Sequence, residues 1–281
     1  MIDDADPRAM PIPSAWASAV PRWQDAMRAR GMSEATIRTR TDHVRRAARA
    51  LGGEPWSVTA DDVVSWVGRQ SWQRETRRSV YASLRSWWGW AVEVGLIAES
   101  PAAALPRVRA TEPRPRPAPD DVMQTAVRMA DERTRLILRC AAEVGLRRGE
   151  IARIRLDDIE PDLYGWSLRV RGKGQRVRVV PLPDMLARDL RRACMAGGGW
   201  ALPGAVDGHL SPEYVGRLAT RVMPGVWTLH TLRHRFASRA HDATHDLIAV
   251  QHLLGHASVS TTQRYVATSD LTLRRAMEAA A

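Results

Sequence analysis

The stretch RVRGKGQRVRVVPL, residues 169–182, is the part of this chain that decides its fold class. Apolar and charged residues alternate over 166–170 and again over 176–180, which is the pattern of half-buried β-strands. Four of the residues between them, Gly172 to Gln175, include two glycines and predict a hairpin turn. The sequence therefore predicts a small β-sheet at this point.

Helical patterns lie on both sides of this hairpin. Ser33 and Thr59 are predicted to cap helices, and a longer helix is expected near 74–94. Asp120 is predicted to cap the first helix after a proline-rich segment, and Gly145 to end the helical region that follows. The predicted fold class is mainly α with a small β-sheet or hairpin.

Prolines divide the chain into two predicted domains. Six prolines lie among arginines and alanines between 101 and 119, and such a stretch disfavours a helix or a central strand. We therefore expect an extended linker there. The predicted organisation is a flexible tail at 1–14, a helical domain at 15–100, the linker at 101–119 and a mixed α/β domain at 120–281.

The charge of the chain indicates the class of its partner. Its 281 residues carry 42 Lys+Arg and 31 Asp+Glu, a formal net charge of +11, which favours nucleic acid. The first residues lack a secretory pattern, and no apolar run is long enough to span a membrane. Two isolated cysteines, Cys140 and Cys194, are typical of a reduced protein. These features predict a cytoplasmic protein without a membrane partner.

One lysine stands apart from the other cationic residues. Lys173, at the predicted hairpin tip, is the only lysine, so the remaining 41 of the 42 cationic side chains are arginines. Arginine keeps its proton at any accessible pH, whereas lysine can release one. Lys173 is therefore a candidate general acid at an anionic centre, and the alternative is an ordinary surface charge on a loop.

Two further segments offer side chains suited to a phosphate group. Arg147 comes just after the predicted helix end at Gly145, and Glu150 is close enough along the chain to orient it. His230 and Arg233 are three residues apart and share one face of a predicted helix. Together they would give a phosphate oxygen several hydrogen-bond donors.

Histidines are concentrated near the end of the chain. Six of the eight lie between 230 and 256, in three pairs with i, i+4 spacing, and His256 directly follows a predicted helix end at Gly255. The spacing permits a zinc site, but no His-Glu-x-x-His motif occurs and no cysteine is close in sequence, so no metal site is predicted. Tyr265 lies in the first turns of a further predicted helix, where most tyrosines are half-buried packing residues.

Taken in order, these segments resemble the six-residue signature of the tyrosine recombinases, the phage-integrase type of site-specific recombinase. The matching stretches are GLRRGEI, GKGQRVRVVPL, HTLRHRFA and LLGHASVSTTQRY, which carry Arg147, Lys173, His230, Arg233, His256 and Tyr265. The nine-residue step from the last histidine to the tyrosine is the familiar one in that family. One departure is Val144, where many members have threonine. The helical region before the linker resembles the family's core-binding domain.

The resemblance implies a reaction that needs neither metal nor cofactor. Tyr265 would attack a DNA phosphodiester and form a 3′-phosphotyrosyl bond with release of a 5′-hydroxyl. Arg147 and Arg233 would hold the non-bridging oxygens. Because the protein–DNA bond keeps the energy of the broken one, rejoining to another strand completes an exchange through a Holliday junction.

The same resemblance assigns supporting roles. His230 would act as a base or donor, and His256 as a further donor to the phosphate. Lys173 would protonate the departing 5′-oxygen. Glu150 and His234 would support the residues that touch the phosphate.

The resemblance also implies partners. These are double-stranded DNA at core or attachment sites and three further copies of the chain, assembled on DNA from free monomers, with room for an accessory directionality or bending factor. By analogy, five arginines of the helical domain are expected to face DNA: Arg38, Arg45, Arg77, Arg78 and Arg85.

Three functions remain open on the sequence alone. Integration and excision of phage or mobile-element DNA is the main expectation. A cellular recombinase that resolves chromosome dimers would use the same chemistry. The third alternative, from another class, is a sequence-specific DNA-binding protein that does not cleave.

Overall fold

The computed structural model describes residues 10–110, 115–172 and 177–255. The chain divides into two compact units, Met1–Glu112 and Pro113–Ala281. Helices predominate, and one three-stranded antiparallel sheet lies in the second unit, so the predicted fold class is confirmed. None of the described helices combines the length and the apolar character that a membrane span requires.

The first unit is helical throughout. Its elements are α1 Ser14–Ala29, α2 Glu34–Leu51, α3 Ala60–Gly68, α4 Arg74–Glu93 and a short 3₁₀ helix, Pro101–Ala104. Ser33 caps α2 by accepting a hydrogen bond from the backbone N–H of Thr36 at 3.4 Å. Thr59 caps α3 in a reciprocal capping box with Asp62. Both caps agree with the sequence prediction.

Tryptophans form the core of this unit. Trp16, Trp23 and Trp87 are almost completely buried. The Trp87 ring stacks with Trp16 at 5.7 Å and with Trp56 at 5.5 Å, and meets Trp23 edge-on at 5.2 Å. Such pairs add to the large apolar area that each indole removes from water. The helices α1 and α4 are therefore held together largely by these rings.

The predicted linker begins later than expected. The prediction of an extended segment from residue 101 is wrong at its start, because Pro101–Ala104 forms a 3₁₀ helix with Ala102 fully buried. Proline suits the first position of such a turn, and the alanines that follow fit a crowded site. Arg85 Nη2 then donates to the carbonyl oxygens of Leu105 at 2.6 Å and Pro106 at 3.1 Å. Residues up to 106 thus belong to the first unit.

Besides a short 3₁₀ helix, Leu156–Asp158, the second unit contains seven α-helices and four short strands among its described residues. They are α5 Asp120–Met129, α6 Glu132–Glu143, α7 Arg148–Ile151, β1 Ile159–Asp162, β2 Gly165–Arg171, β3 Val177–Leu182, α8 Asp184–Ala196, β4 Pro203–Val206, α9 Pro212–Val222, α10 Leu229–Thr244 and α11 Leu247–Leu254. The sheet has the order β1-β2-β3, with Trp166 opposite Leu182 and Arg171 opposite Val177. This pairing confirms that the two predicted strands pair and adds an edge strand, β1, while residues 173–176 of the predicted turn lie outside the described residues.

Residues 115–120 run along the start of α10. The guanidinium of Arg116 lies 4.9 Å from the centre of the Trp227 ring, and the backbone N–H of Ala118 donates to the carbonyl of Thr231 at 3.0 Å. Asp120 pairs with Arg235 at 2.6 Å and with Arg239. The prediction that Asp120 caps α5 is therefore wrong: Pro119 occupies the cap position, and the carboxylate binds the arginines of α10 instead.

Candidate active site

Arg147 occupies the junction between α6 and α7. Helix α6 ends at Glu143, and Gly145 then adopts a φ of +71°, which turns the chain toward α7. Arg147 Nη1 donates to Glu150 Oε1 at 2.8 Å, and its backbone N–H donates to Oε2 at 2.9 Å. The side chain is nevertheless 40% exposed. Arg147 is thus fixed through one nitrogen while the guanidinium reaches solvent, as the sequence predicts for a residue that Glu150 orients.

Arg233 is buried directly beside Arg147. It is 1% exposed, and its guanidinium donates to the carbonyl oxygens of Gly145 and, at 2.7 Å, of Leu254. The Leu254 oxygen also accepts a hydrogen bond from Arg147 Nη1 at 3.3 Å. These carbonyls lie at the ends of α6 and α11, where the helix dipole favours a cation. Two arginines 86 positions apart in sequence therefore converge on one oxygen atom.

Glu150 lies beneath both arginines. Its side chain is 5% exposed and also faces Arg233 Nη1 at 3.8 Å. Burial alone would raise the pKa of this carboxyl group, but the hydrogen bonds and charge of Arg178, followed by those of Arg147, outweigh burial and lower the pKa to about 2. Glu150 is therefore ionised throughout the working pH range and balances part of the arginine charge.

Arg178 is a residue of this site that the sequence prediction missed. Located on β3, it binds Glu150 through two parallel hydrogen bonds, both 2.9 Å long, and its Nε donates to the Leu253 carbonyl at 3.0 Å. The signal was present in the strand pattern, because Arg178 alternates onto the same face as the buried residues Val180 and Leu182. A charge on the buried face of a strand requires a partner.

His230 lies in the first turn of α10, one turn before the buried His234. The two rings meet edge-on, with their centres 4.6 Å apart. The His230 side chain reaches solvent, yet partial desolvation of the ring, followed by the positive charges of Arg233 and Arg147, lowers its pKa. The structure thus places His230 within the field of both arginines, which favours the neutral form of its imidazole.

Three of the predicted site residues lie outside the described residues: Lys173, His256 and Tyr265. Described residues flank Lys173 on both sides and extend up to the residue before His256. Gly172 ends the segment before the hairpin turn, and Gly255, with a φ of +63°, follows the Leu254 carbonyl that Arg147 and Arg233 bind. Arg147, His230 and Arg233 are brought together, with the supporting residues Glu150 and His234 beside them.

Five arginines of the first unit were predicted to contact DNA. Arg38 on α2 and Arg78 on α4 are exposed. Arg45 and Arg77 donate to nearby backbone carbonyls at 3.3 and 3.5 Å, and Arg85 holds the chain after the 3₁₀ helix. Their contact with DNA stays a prediction.

Metal binding finds no geometric support in the part of the chain that the structure describes. Within residues 10–110, 115–172 and 177–255, no three His, Cys, Asp or Glu side chains group as a metal site. The described i, i+4 histidine pairs meet edge-on instead, including His241 and His245 at 6.0 Å.

Comparisons with known sequences and structures identify the family of this chain. The phage integrase family model matches residues 119–271, more than half of the chain. This chain belongs to the phage integrase family. A tyrosine recombinase XerC from Xylella fastidiosa strain M23 is 33% identical to this family member over 266 residues, covering 84% of the chain and 87% of the relative. XerC from Mycobacterium sp. strain KMS is 30% identical, with 84% and 92% covered.

Solved structures share the fold of this integrase-family protein. A lambda integrase (75–356) dimer bound to a COC′ core site superposes with a TM-score of 0.69 at 19% identity, covering 91% of this chain and 95% of that one. XerH site-specific recombinase bound to difH substrate superposes with a TM-score of 0.66 at 16% identity, covering 92% and 83%. Both likenesses extend over the two units.

Proposed function

We propose that this phage integrase family member is a site-specific DNA recombinase that cuts and rejoins DNA through a 3′-phosphotyrosyl intermediate and a Holliday junction. The observation that carries the proposal is the convergence of Arg147 and Arg233 on the Leu254 carbonyl oxygen. Guanidiniums held this close supply the donors and the positive charge that a phosphate needs as negative charge develops on it. In this proposal the first unit binds DNA and the second unit carries out the chemistry.

The proposed cleavage step begins with the phenol of Tyr265. A free phenol has a pKa of about 10, so attack on phosphorus requires a proton acceptor. His230 is suited to take that proton because its lowered pKa favours the neutral imidazole, the form that can accept one. As the Tyr265 oxygen bonds to phosphorus, the bond to the 5′-oxygen breaks and Lys173 donates a proton to the leaving oxygen. Arg147 and Arg233 stabilise the charge, with His256 as a further donor.

Rejoining uses the same residues in reverse. A 5′-hydroxyl of another strand loses its proton and attacks the phosphotyrosyl bond, and the tyrosine leaves as a phenol. No metal ion and no cofactor enter the proposed scheme, because the protein–DNA bond conserves the energy of the broken phosphodiester.

The proposed partners are double-stranded DNA and further copies of this chain. The lambda integrase tetramer bound to a Holliday junction, with a TM-score of 0.66 to this chain at 19% identity, is a structural relative with that assembly. Two strand exchanges need four active sites, which supports a tetramer on two DNA sites. We also propose that accessory directionality or bending factors take part. The proposed place of action is the cytoplasm.

Two biological roles share this chemistry. We favour integration and excision of phage or mobile-element DNA, while similarity to XerC supports a cellular recombinase of the kind that resolves chromosome dimers. The DNA that flanks the gene distinguishes them. An inverted repeat split around a short spacer at the edge of a mobile element supports integration, whereas flanking DNA with no such element supports resolution.

The test of the reaction uses DNA nicked near the cleavage point, so that a cleaved strand cannot rejoin. Wild-type protein is expected to form a covalent complex that denaturant does not dissociate, and Tyr265→Phe is expected to bind the same DNA without forming it. If wild type and Tyr265→Phe bind equally and neither becomes linked to DNA, the chain is a binding protein and the proposal fails.

The role of Lys173 has a separate test. Lys173→Ala and Lys173→Arg are both expected to cleave ordinary DNA poorly, because neither side chain donates a proton readily. Both are expected to recover cleavage of DNA that carries a 5′-thiol leaving group, which departs without a proton. Normal cleavage of ordinary DNA by Lys173→Arg would instead assign this residue to charge or positioning.

A further inference from the structure

Arg178 connects three segments that carry predicted catalytic residues. It lies on β3, five residues after Lys173 in the sequence. Its Nη1 and Nη2 bind the two oxygens of Glu150, and its Nε binds the Leu253 carbonyl at the end of α11. All three guanidinium nitrogens are therefore engaged, and the side chain is only 13% exposed. The Arg178 side chain links β3, the start of α7 and the end of α11.

The end of α11 lies in close contact with Arg178. Gly255 has no side chain, and a Cβ atom there would lie 2.8 Å from both Cδ and Nη1 of Arg178. Contacts that short force one of the two groups to move. The position of Arg178 and the backbone at the end of α11 therefore depend on each other.

The charges explain why a second arginine is needed at Glu150. A buried carboxylate attracts whichever guanidinium can bind it with two hydrogen bonds. Arg178 takes that arrangement, which leaves the guanidinium of Arg147 attached to Glu150 through Nη1 alone and its side chain 40% exposed. Without Arg178, both Glu150 oxygens would be open to Arg147, and the guanidinium would be drawn inward, away from a bound phosphate.

We propose that Arg178 is a positioning residue for the recombination reaction: by occupying Glu150, it keeps Arg147 directed at the scissile phosphate. This inference rests on the proposed function and extends it to a residue outside the six-residue signature. Because Arg178 acts through Glu150, the effects of replacing Arg178 and of replacing Glu150 on the cleavage rate should not be additive.

A double-mutant cycle tests this dependence. Arg178→Gln is expected to slow single-turnover covalent cleavage of nicked DNA about 100-fold, the size of effect that a displacement near 1 Å can cause. Glu150→Gln/Arg178→Gln is expected to cleave at least 10-fold faster than Arg178→Gln, because a neutral amide no longer attracts Arg147. A merely structural role predicts the opposite, since the double variant loses more interactions.

Two further variants separate positioning from folding. Arg178→Lys keeps the charge without the paired hydrogen bonds and is expected to be slowed at least 10-fold, with a loss of stability no larger than that of Arg139→Lys. Arg139→Lys is the matched control, because Arg139 is also largely buried and binds two carboxylates, Glu143 at 2.7 Å and Asp189 at 2.6 Å. It is expected to lose stability but not cleavage rate.

The outcomes distinguish this inference from the proposed function. If wild-type protein forms no covalent complex, the proposed function itself fails. If wild type cleaves and Arg178→Lys cleaves within about twofold of it, only the role of Arg178 is wrong. A double variant no faster than Arg178→Gln overturns the role as well, because the effect would then not pass through Glu150.

Discussion

The surroundings of His230 determine the pKa of its imidazole. Its pKa is lowered by desolvation and by the charges of Arg233 and Arg147. The unfolded chain therefore binds this proton more readily than the folded one, and the free energy of unfolding falls as pH drops below about 6.5. Cleavage is expected to fall only at lower pH, as the lowered pKa of the folded protein is approached, since protonated imidazole cannot accept the proton of Tyr265.

Replacing Arg147 tests the electrostatic part of this shift. Arg147→Gln is expected to raise the His230 pKa toward its ordinary value, because one of the two nearby positive charges is removed while desolvation remains. The imidazole titration followed by NMR in the DNA-free protein measures the change. Arg148→Gln is the matched control, since Arg148 adjoins Arg147 but is not among the causes of the shift. An equal effect of both variants would contradict the assignment.

Arg178 is a residue of the candidate site that was not predicted from the sequence. Arg147, His230 and Arg233 were found because each lies in a short motif whose neighbours are informative. Arg178 is 28 positions from Glu150, and their pairing depends on how β3 packs beside α7 and α11. Strand alternation placed Arg178 on the buried face, but only the tertiary structure supplies its partner.

At the scale of elements, the end of α6 determines how the two arginines meet. Gly145 has a φ of +71°, and a Cβ atom there would lie 2.8 Å from Cε1 of Phe236 and 3.1 Å from Cδ2 of Leu254. The close approach of α10 and α11 to this turn thus requires glycine. The Gly145 carbonyl also receives a hydrogen bond from Arg233, so a shift in this turn displaces that arginine.

Gly145→Ala is therefore expected to destabilise the second unit by about 3 kcal/mol, from backbone strain together with steric overlap. Gly198→Ala separates the two causes. Gly198 has a similar φ of +62°, but a Cβ atom added there would meet nothing within 4 Å, so its replacement is expected to cost only about 1 kcal/mol. Urea denaturation measures both values, and equal destabilisation would show that the contacts with α10 and α11 contribute nothing.

Elements with strong local signals were predicted well, and the others were not. The caps at Ser33 and Thr59 and the pairing of β2 with β3 agree with the sequence patterns. Strand β1 escaped prediction because it contains Pro161 and is largely exposed, so it is defined by its pairing with β2 rather than by its own residues. Asp120 was misassigned because the arginines that bind it are more than 110 positions away.

At the scale of the whole molecule, the net charge of +11 governs binding to DNA. Phosphate contacts release counterions, so affinity is expected to fall steeply as salt rises. Arg38→Gln is expected to weaken binding to all DNA sequences and to reduce the slope of log affinity against log salt by about 1. Binding measured between low and moderate salt checks this, and an unchanged slope would remove Arg38 from the interface.

Arg85→Gln serves as the contrast to Arg38→Gln. Arg85 holds the carbonyl oxygens of Leu105 and Pro106, so its replacement is expected to lower the stability of the first unit while leaving the salt slope nearly unchanged. A reduced slope for Arg85→Gln would instead make this arginine a phosphate contact.

The packed tryptophan rings of the first unit are expected to dominate the near-ultraviolet circular dichroism of the protein. Eight of the eleven tryptophans precede the linker, and Trp87 lies within 6 Å of Trp16, Trp23 and Trp56, close enough for their excited states to couple. Trp166, Trp200 and Trp227 of the second unit each have an arginine over the ring instead. Near-ultraviolet circular dichroism therefore reports chiefly on the helical unit, and its melting can be followed separately from that of the unit that holds Arg147 and Arg233.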